Sequence, residues 1–263
     1  MVCFAVLVIY STLALLAQCG LIAGNYHLEM GQAYEPPSSQ HWLGTDFLGR
    51  DVLQRVIHGS RIALSIGFVT SMIAIPIGII LGALAGYFGG WVDEVIVWFY
   101  SVLASIPGLL LLIAFTYVLG KGANALYIAI GLTSWVQVCR QIRGEYIKHK
   151  ARDYVLAARA LGVGHGRIML RHILPNVYHI IIICFSLHFV YAIKSEVILS
   201  YLGVGIQGEP SWGVMIDDAK LELFGRGVWW QFTGATVAMF ILLLALNVVG
   251  DAMRDATDPK LRQ

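Results

Sequence analysis

The residues of this 263-residue chain that are equipped for chemistry stand in few groupings, and their spacing limits what each can do. His172 and His179 are seven residues apart and can share a helix face, but no carboxylate or cysteine joins them at ligand spacing, so they make a poor metal site. The sequence has no H-E-x-x-H, no G-x-S-x-G and no C-x-x-C. The stretch "VLGKGAN" carries a Gly-Lys pair without the rest of a phosphate-binding loop. Gly122 stands where a hydroxyl would meet magnesium, and Phe115 stands where the first glycine belongs. A membrane-embedded enzyme and an intrinsic ATPase are therefore unsupported. Lys194 and Glu196 are charges inside an apolar run. Such charges are costly in a membrane and mark a transport pathway or a subunit contact, unless the helix already ends there and both reach interfacial water. Being two apart, they do not face one another on a helix.

The elements that must position these groups are apolar. The chain is 58% hydrophobic and 13% charged, against about 25% charged in an ordinary soluble domain. The composition predicts an all-α polytopic membrane protein forming a single transmembrane domain over 1–263. Six segments are long and apolar enough for spans of about 20 residues: 2–23, 62–87, 95–119 around Pro107, 123–138 closed by Arg140, 177–199 and 228–249. The first has no Lys or Arg before it, so it reads as a retained span and not a signal peptide. Cys3, Cys19, Cys139 and Cys184 are scattered, and each reads as a small buried hydrophobe. Val52, Leu53, Val56 and Ile57 follow helical spacing after Asp51, which predicts a short amphipathic helix at the membrane surface. Trp212, Trp229 and Trp230 suit interfacial anchoring.

Charge sets the orientation. Eight of the 18 Lys and Arg residues fall between Arg140 and Arg171, and Arg254, Lys260 and Arg262 lie near the C-terminus. Basic loops stay in the cytoplasm. The loop 140–176 and both termini are thus expected inside, with 24–61 and 202–227 outside; Arg50, Arg55 and Arg61 then fall on the outer side, against the trend. A net charge of +2 gives no reason to expect a nucleic-acid partner; membrane lipid is the expected surrounding.

The stretch "LAARALGVGHGRIMLRHILPN" (156–176) sits in the basic loop. "DYVLAARAL" suits a helix with Asp153 in its first turn. Tyr154, Ala157, Ala158 and Leu161 then share one face of mostly small side chains, and Gly162 stands where a left-handed cap belongs. A second helix is expected near Arg167, with Pro175 marking the boundary before the fifth span. A loop serving topology alone needs only positive charge. Small alanines on one face and a glycine directly after Leu161 point instead to a surface on which another protein docks.

This segment resembles the cytoplasmic EAA loop of ABC importer permeases: Glu-Ala-Ala, three residues, Gly, nine residues, Ile, one residue, Leu-Pro. Leu156-Ala157-Ala158, Gly162, His172 and Leu174-Pro175 occupy those places. The spacing matches, while Leu156 replaces the acid and His172 the isoleucine. "RHILPN", "HWLGTDFLGRDVLQRVIHGSRIALSIG", "GALAGYFGGWVDE", "EVILSYLGVGIQGEPSWGVMI" and "RDATDPKLRQ" are similar to the dipeptide/oligopeptide/nickel branch. Glu196 stands at the family's acidic position. Trp98 and Ser101 replace an Arg and an Asp often found in its third span.

The resemblance implies a type I ABC importer permease fold with six transmembrane helices in a bacterial inner membrane. It implies a second homologous permease, an external substrate-binding protein, and two ATPase subunits that use ATP and magnesium; this chain would bind no cofactor itself. Tyr154, Leu156, Ala157, Ala158, Arg159, Leu161, Gly162, Leu174 and Pro175 would meet an ATPase, and the cargo would be a di- or oligopeptide or a related small solute. The alternative is a stand-alone secondary transporter or channel, which should show internal symmetry with broken helices and has no use for the docking loop.

Overall fold

The computed structural model describes residues 1–120 and 122–257; Lys121 of the Gly-Lys turn, and Lys260 and Arg262 of the basic C-terminus, lie outside the described residues. The architecture is all-α. The elements are α1 (Val2–Gln18), α2 (Val52–Phe88), α3 (Gly90–Ser105), α4 (Gly108–Leu119), α5 (Ala123–Lys150), α6 (Asp153–Ala160), α7 (His165–Arg167), a π-helical stretch Ile168–Ile173, α8 (Leu174–Tyr201), α9 (Trp212–Arg226) and α10 (Trp230–Thr257).

By length and composition three helical stretches can each cross a membrane: Val52–Phe88, His165–Tyr201 and Trp230–Ala256. Counted together as one span, the bent pair α3 and α4 adds a fourth. α1 has 17 residues, and the apolar part of α5 is diluted by Asn124, Thr133, Ser134 and Gln137.

α2 is the axis of the bundle, packed along α5 with α1, α8 and α10 around it. Three glycines one turn apart explain the α2–α5 contact. A Cβ on Gly78, Gly82 or Gly86 would lie 2.6 Å from the Val138 Cβ, the Cys139 carbonyl oxygen or the Arg143 carbonyl oxygen, respectively. Only hydrogen fits there, so the two backbones touch as small residues allow in membrane bundles.

Several expected boundaries move. The surface helix after Asp51 is no separate element. Asp51 caps α2, accepting from the Gln54 amide at 3.0 Å, and the helix runs unbroken through Pro76 to Phe88. The single third span is broken instead. Pro107 follows Ile106, which takes an extended conformation (φ −87°, ψ 131°), and α3 and α4 meet at 90°. The fourth helix does not stop before Arg140. It continues to Lys150 because the glycine contact carries on past the apolar run, and Arg143 pairs with Asp93 at 2.5 Å.

Pro175 is likewise no boundary: helix runs from His165 to Tyr201 across it. Proline lacks the amide and crowds the carbonyl four residues back. The π-helical turn Ile168–Ile173, directly before it, widens the backbone there. Trp212 and Trp230 are buried pegs, not interfacial anchors. Their indole N–H groups donate to the carbonyls of Val56 (3.0 Å) and Thr45 (2.9 Å), while Trp229 is exposed. Cys139 and Cys184 are buried as expected, but Cys19 is exposed.

Candidate functional site

The candidate docking segment is built on a rigid base. α5 extends beyond the bundle, α6 turns back beneath it, and α7 begins the return. Val155 and Ala158 point inward, into a cluster with Tyr87, Ile142, Tyr146, Ile168, Met169 and Ile173. Polar contacts lock the arrangement. The Tyr146 hydroxyl donates to the Met169 carbonyl at 3.1 Å, Tyr154 meets His149 at 2.8 Å, and Tyr87 meets His165 Nδ1 at 2.9 Å. Gly162 takes φ +76°, and the amides of Gly162 and Val163 donate to the carbonyls of Arg159 and Ala158 at 3.0 and 3.1 Å. This is a glycine-terminated double hydrogen bond that closes the helix.

The face expected to dock is therefore split. Ala158 is only 6% exposed and belongs to the protein's own core, whereas Leu161 is 84% exposed and Leu156 48%. Tyr154, Ala157 and Arg159 are also exposed. The inward face reads Val155–Ala158, three residues apart, and the outward one Leu156–Ala157–Leu161. The Arg159 guanidinium lies over the Tyr87 ring at 5.8 Å. Leu174 is half-buried and Pro175 exposed, both in the continuous α7–α8 helix behind α6.

Lys194 and Glu196 part company. Lys194 lies on the exposed side of α8, while Glu196 is 1% exposed and accepts from the Ser200 hydroxyl at 2.7 Å. That hydroxyl also accepts from the Ile206 amide at 3.2 Å, so Glu196 fixes the end of α8 and the chain that leaves it.

The sequence reading missed a charge network in the segment before α2. Buried Asp46 accepts from the amides of Leu48 and Arg50 at 2.9 Å each, from Arg50 Nε at 2.7 Å and from an Arg55 terminal nitrogen at 3.0 Å. Arg55 reaches on to Asp218 of α9 at 3.6 Å. Glu222 stands nearby, with one buried carboxylate oxygen unpaired. Burial, with Asp46 and Asp218 adding repulsion, pushes Glu222 up to about 7, and burial also raises Asp218. The motif "GTDFLGRD" carried the signal: an acid and a base four apart, flanked by glycines.

Also missed was a cavity of about 560 Å³ between the α3–α4 break, α5 and α8. Among the described residues no cluster of three or more His, Cys, Asp or Glu is arranged to hold a metal.

Residues 74–263, covering the α2–α5 contact, the docking segment and α8, match the binding-protein-dependent transport system inner membrane component family. The chain belongs to that family. The resemblance drawn from the sequence is borne out. A dipeptide transport system permease protein of Bacillus subtilis (strain 168) is 40% identical over 229 residues, 87% of this chain and 71% of that protein. A glutathione transport system permease protein of Pectobacterium atrosepticum is 37% identical over 241 residues, 91% of this chain and 79% of that one. Among solved structures, a chain of the MetNI methionine ABC transporter in an inward-facing conformation superposes with a TM-score of 0.65 at 17% identity, covering 79% of this chain and 98% of that one. An amino acid ABC transporter chain gives 0.60 at 18% identity, covering 78% and 94%. The family's membrane fold is thus shared at low sequence identity.

Proposed function

We propose that this chain is one permease subunit of an ATP-driven importer that takes di- or oligopeptides, or a related small solute, from an external binding protein. The carrying observation is the outward face of α6. Leu156, Ala157 and Leu161 project from a helix whose opposite face is anchored to α2, α5 and the π-helical turn. An apolar, solvent-facing ridge on a rigid mount is what an ATPase subunit needs in order to push on the membrane helices. Two such subunits use ATP and magnesium. A second, homologous permease completes the pathway. The chain crosses a bacterial inner membrane six times, with both termini, the α2–α3 turn and α6 in the cytoplasm and the segments 24–51 and 202–227 outside. The relatives' names, dipeptide and glutathione permeases, support the cargo class. Leu156 in place of the family's acid makes this dock more apolar and lowers its dependence on salt.

Closure of the ATPases on ATP moves α6. Because α6 is packed against α2 and α5, the motion reaches the bundle as a rigid-body rocking, shifting the balance between inward-open and outward-open states. The test is Leu161→Asp. It is expected to leave insertion and folding intact while lowering ATP-driven uptake ~10-fold or more, the effect of losing a buried apolar anchor of about 1.5–3 kcal/mol from an interface. Ala158→Glu, by contrast, is expected to cost roughly 3 kcal/mol or more of stability, because it drives a charge into the chain's own core. Unchanged uptake and ATPase recruitment by Leu161→Asp would refute the dock.

A further inference from the structure

The cavity between the α3–α4 break, α5 and α8 has an uneven chemistry. Its polar lining comes from Thr133, Ser134, Gln137, Arg140 and Gln141 on α5 and from His188 and Tyr191 on α8, and among the described residues no Asp or Glu lines it. His188 is 6% exposed, midway along α8, and its Nε2 has no hydrogen-bond partner. An unpaired polar atom at that depth is costly and calls for an occupant. Gln141 accepts from the Cys184 thiol at 3.1 Å through its carbonyl oxygen, which leaves its amide NH₂ to donate. The Arg140 guanidinium rests over the Tyr100 ring at 4.9 Å, with no carboxylate in the cavity to neutralise it.

The broken helix adds a third source of positive potential. α4 begins at the cavity wall, where Gly108 lines it and no side chain caps the first turn. A helix start with free amides favours an anion. The Tyr191 hydroxyl lies beside it, 4.0 Å from where a Cβ on Gly108 would stand. Arg140 carries positive charge, the Gln137 and Gln141 amides, the Tyr191 hydroxyl and the first amides of α4 can donate, His188 Nε2 can accept, and a volume of about 560 Å³ lies within the usual range of small-ligand sites.

We propose that this cavity binds the carboxylate end of the solute during its passage. Arg140 supplies the charge, Gln137 and Gln141 donate hydrogen bonds, and His188 Nε2 accepts from the solute N–H beside the carboxylate. The inference rests on the permease reading above and deepens it: the transported class is a solute with a free carboxylate, recognised within the membrane as well as by the external binding protein.

The test is equilibrium binding of radiolabelled trialanine and of its C-terminal amide to the purified transporter complex, without nucleotide or binding protein. The wild-type complex is expected to bind the acid ~10-fold more tightly than the amide, as one charge-assisted hydrogen-bonded contact allows. Arg140→Gln is expected to erase that preference and Arg140→Lys to keep most of it. Should Arg140→Gln fail to assemble, Gln137→Leu and Gln141→Leu carry the same comparison. Equal binding of acid and amide by the wild-type complex overturns the proposal, as does an equal loss of both in Arg140→Gln. Uptake by the same complex, reconstituted with its binding protein, separates the two readings. ATP-driven uptake without an acid preference in binding overturns the cavity proposal alone, whereas no uptake overturns the permease reading and the cavity proposal with it.

Discussion

Single residues in this chain gain their meaning from which side of a helix they occupy. Ala157 and Ala158 are adjacent and chemically identical, yet one faces solvent and the other fills the core beneath α6. Their types could not tell them apart in the sequence. The inward pair Val155–Ala158 becomes recognisable only once Tyr87, Tyr146 and Ile168 are brought against it from distant positions. Glu222 is the clearest residue whose behaviour is set by its surroundings. With one oxygen buried and unpaired, near Asp46 and Asp218, it holds its proton up to about 7 when folded, above its ordinary value. The folded state therefore binds that proton more tightly than the unfolded one, and its stability falls as pH rises from the ordinary carboxylate range through about 7. Arg226 and Arg55 are the cations acting on Glu222, and Asp218, facing Arg55 and Arg50, shifts the same way. The detergent-solubilised protein is expected to unfold at a lower temperature at pH 8 than at pH 6, and Glu222→Gln to narrow that gap by removing one of the two acids. A gap unchanged in Glu222→Gln would contradict this.

At the scale of elements, apolar runs announced the helices but not their ends. The run 123–138 closes where charges begin, but α5 continues to Lys150 because Gly82 and Gly86 of α2 still hold it and Asp93 neutralises Arg143. Those partners are about 50 residues or more away in the chain, outside the reach of any local pattern. The break at Pro107 was visible as a proline, but the 90° turn it produces was not. Pro175 misled in the opposite direction, since a π-helical turn directly before it widens the backbone and the helix runs on through it. The glycine contact carries its own prediction. Gly82→Leu forces α2 and α5 apart and is expected to cost about 1–3 kcal/mol from overpacking, read as a fall in the unfolding temperature, whereas Gly144→Leu on open surface is expected to change little. Equal effects at the two positions would remove the close approach from the account.

For the whole molecule, the all-α membrane fold and the family were legible in advance because they rest on spread-out features: hydropathy, the basic loop and short motifs from His41 onward. The cavity was not legible, because Gln137, Arg140 and His188 come together only when α5 and α8 pack beside the α3–α4 break. The same packing joins the proposed dock and the proposed solute cavity. α5 carries the cavity's Arg140 near its middle and the support of α6 at its end, so a push on Leu161 and a solute at Arg140 act on one rigid helix. The account's central claim is that transport by this chain is driven from outside it, through α6. The most direct measurement is to purify the chain from its native membrane with its partners, reconstitute it with the binding protein, and follow labelled trialanine uptake with and without ATP. The account predicts co-purification with a second permease and ATPase subunits, and uptake that requires ATP and falls ~10-fold or more in Leu161→Asp. Recovery of the chain alone, with full uptake in the absence of ATP, would contradict it.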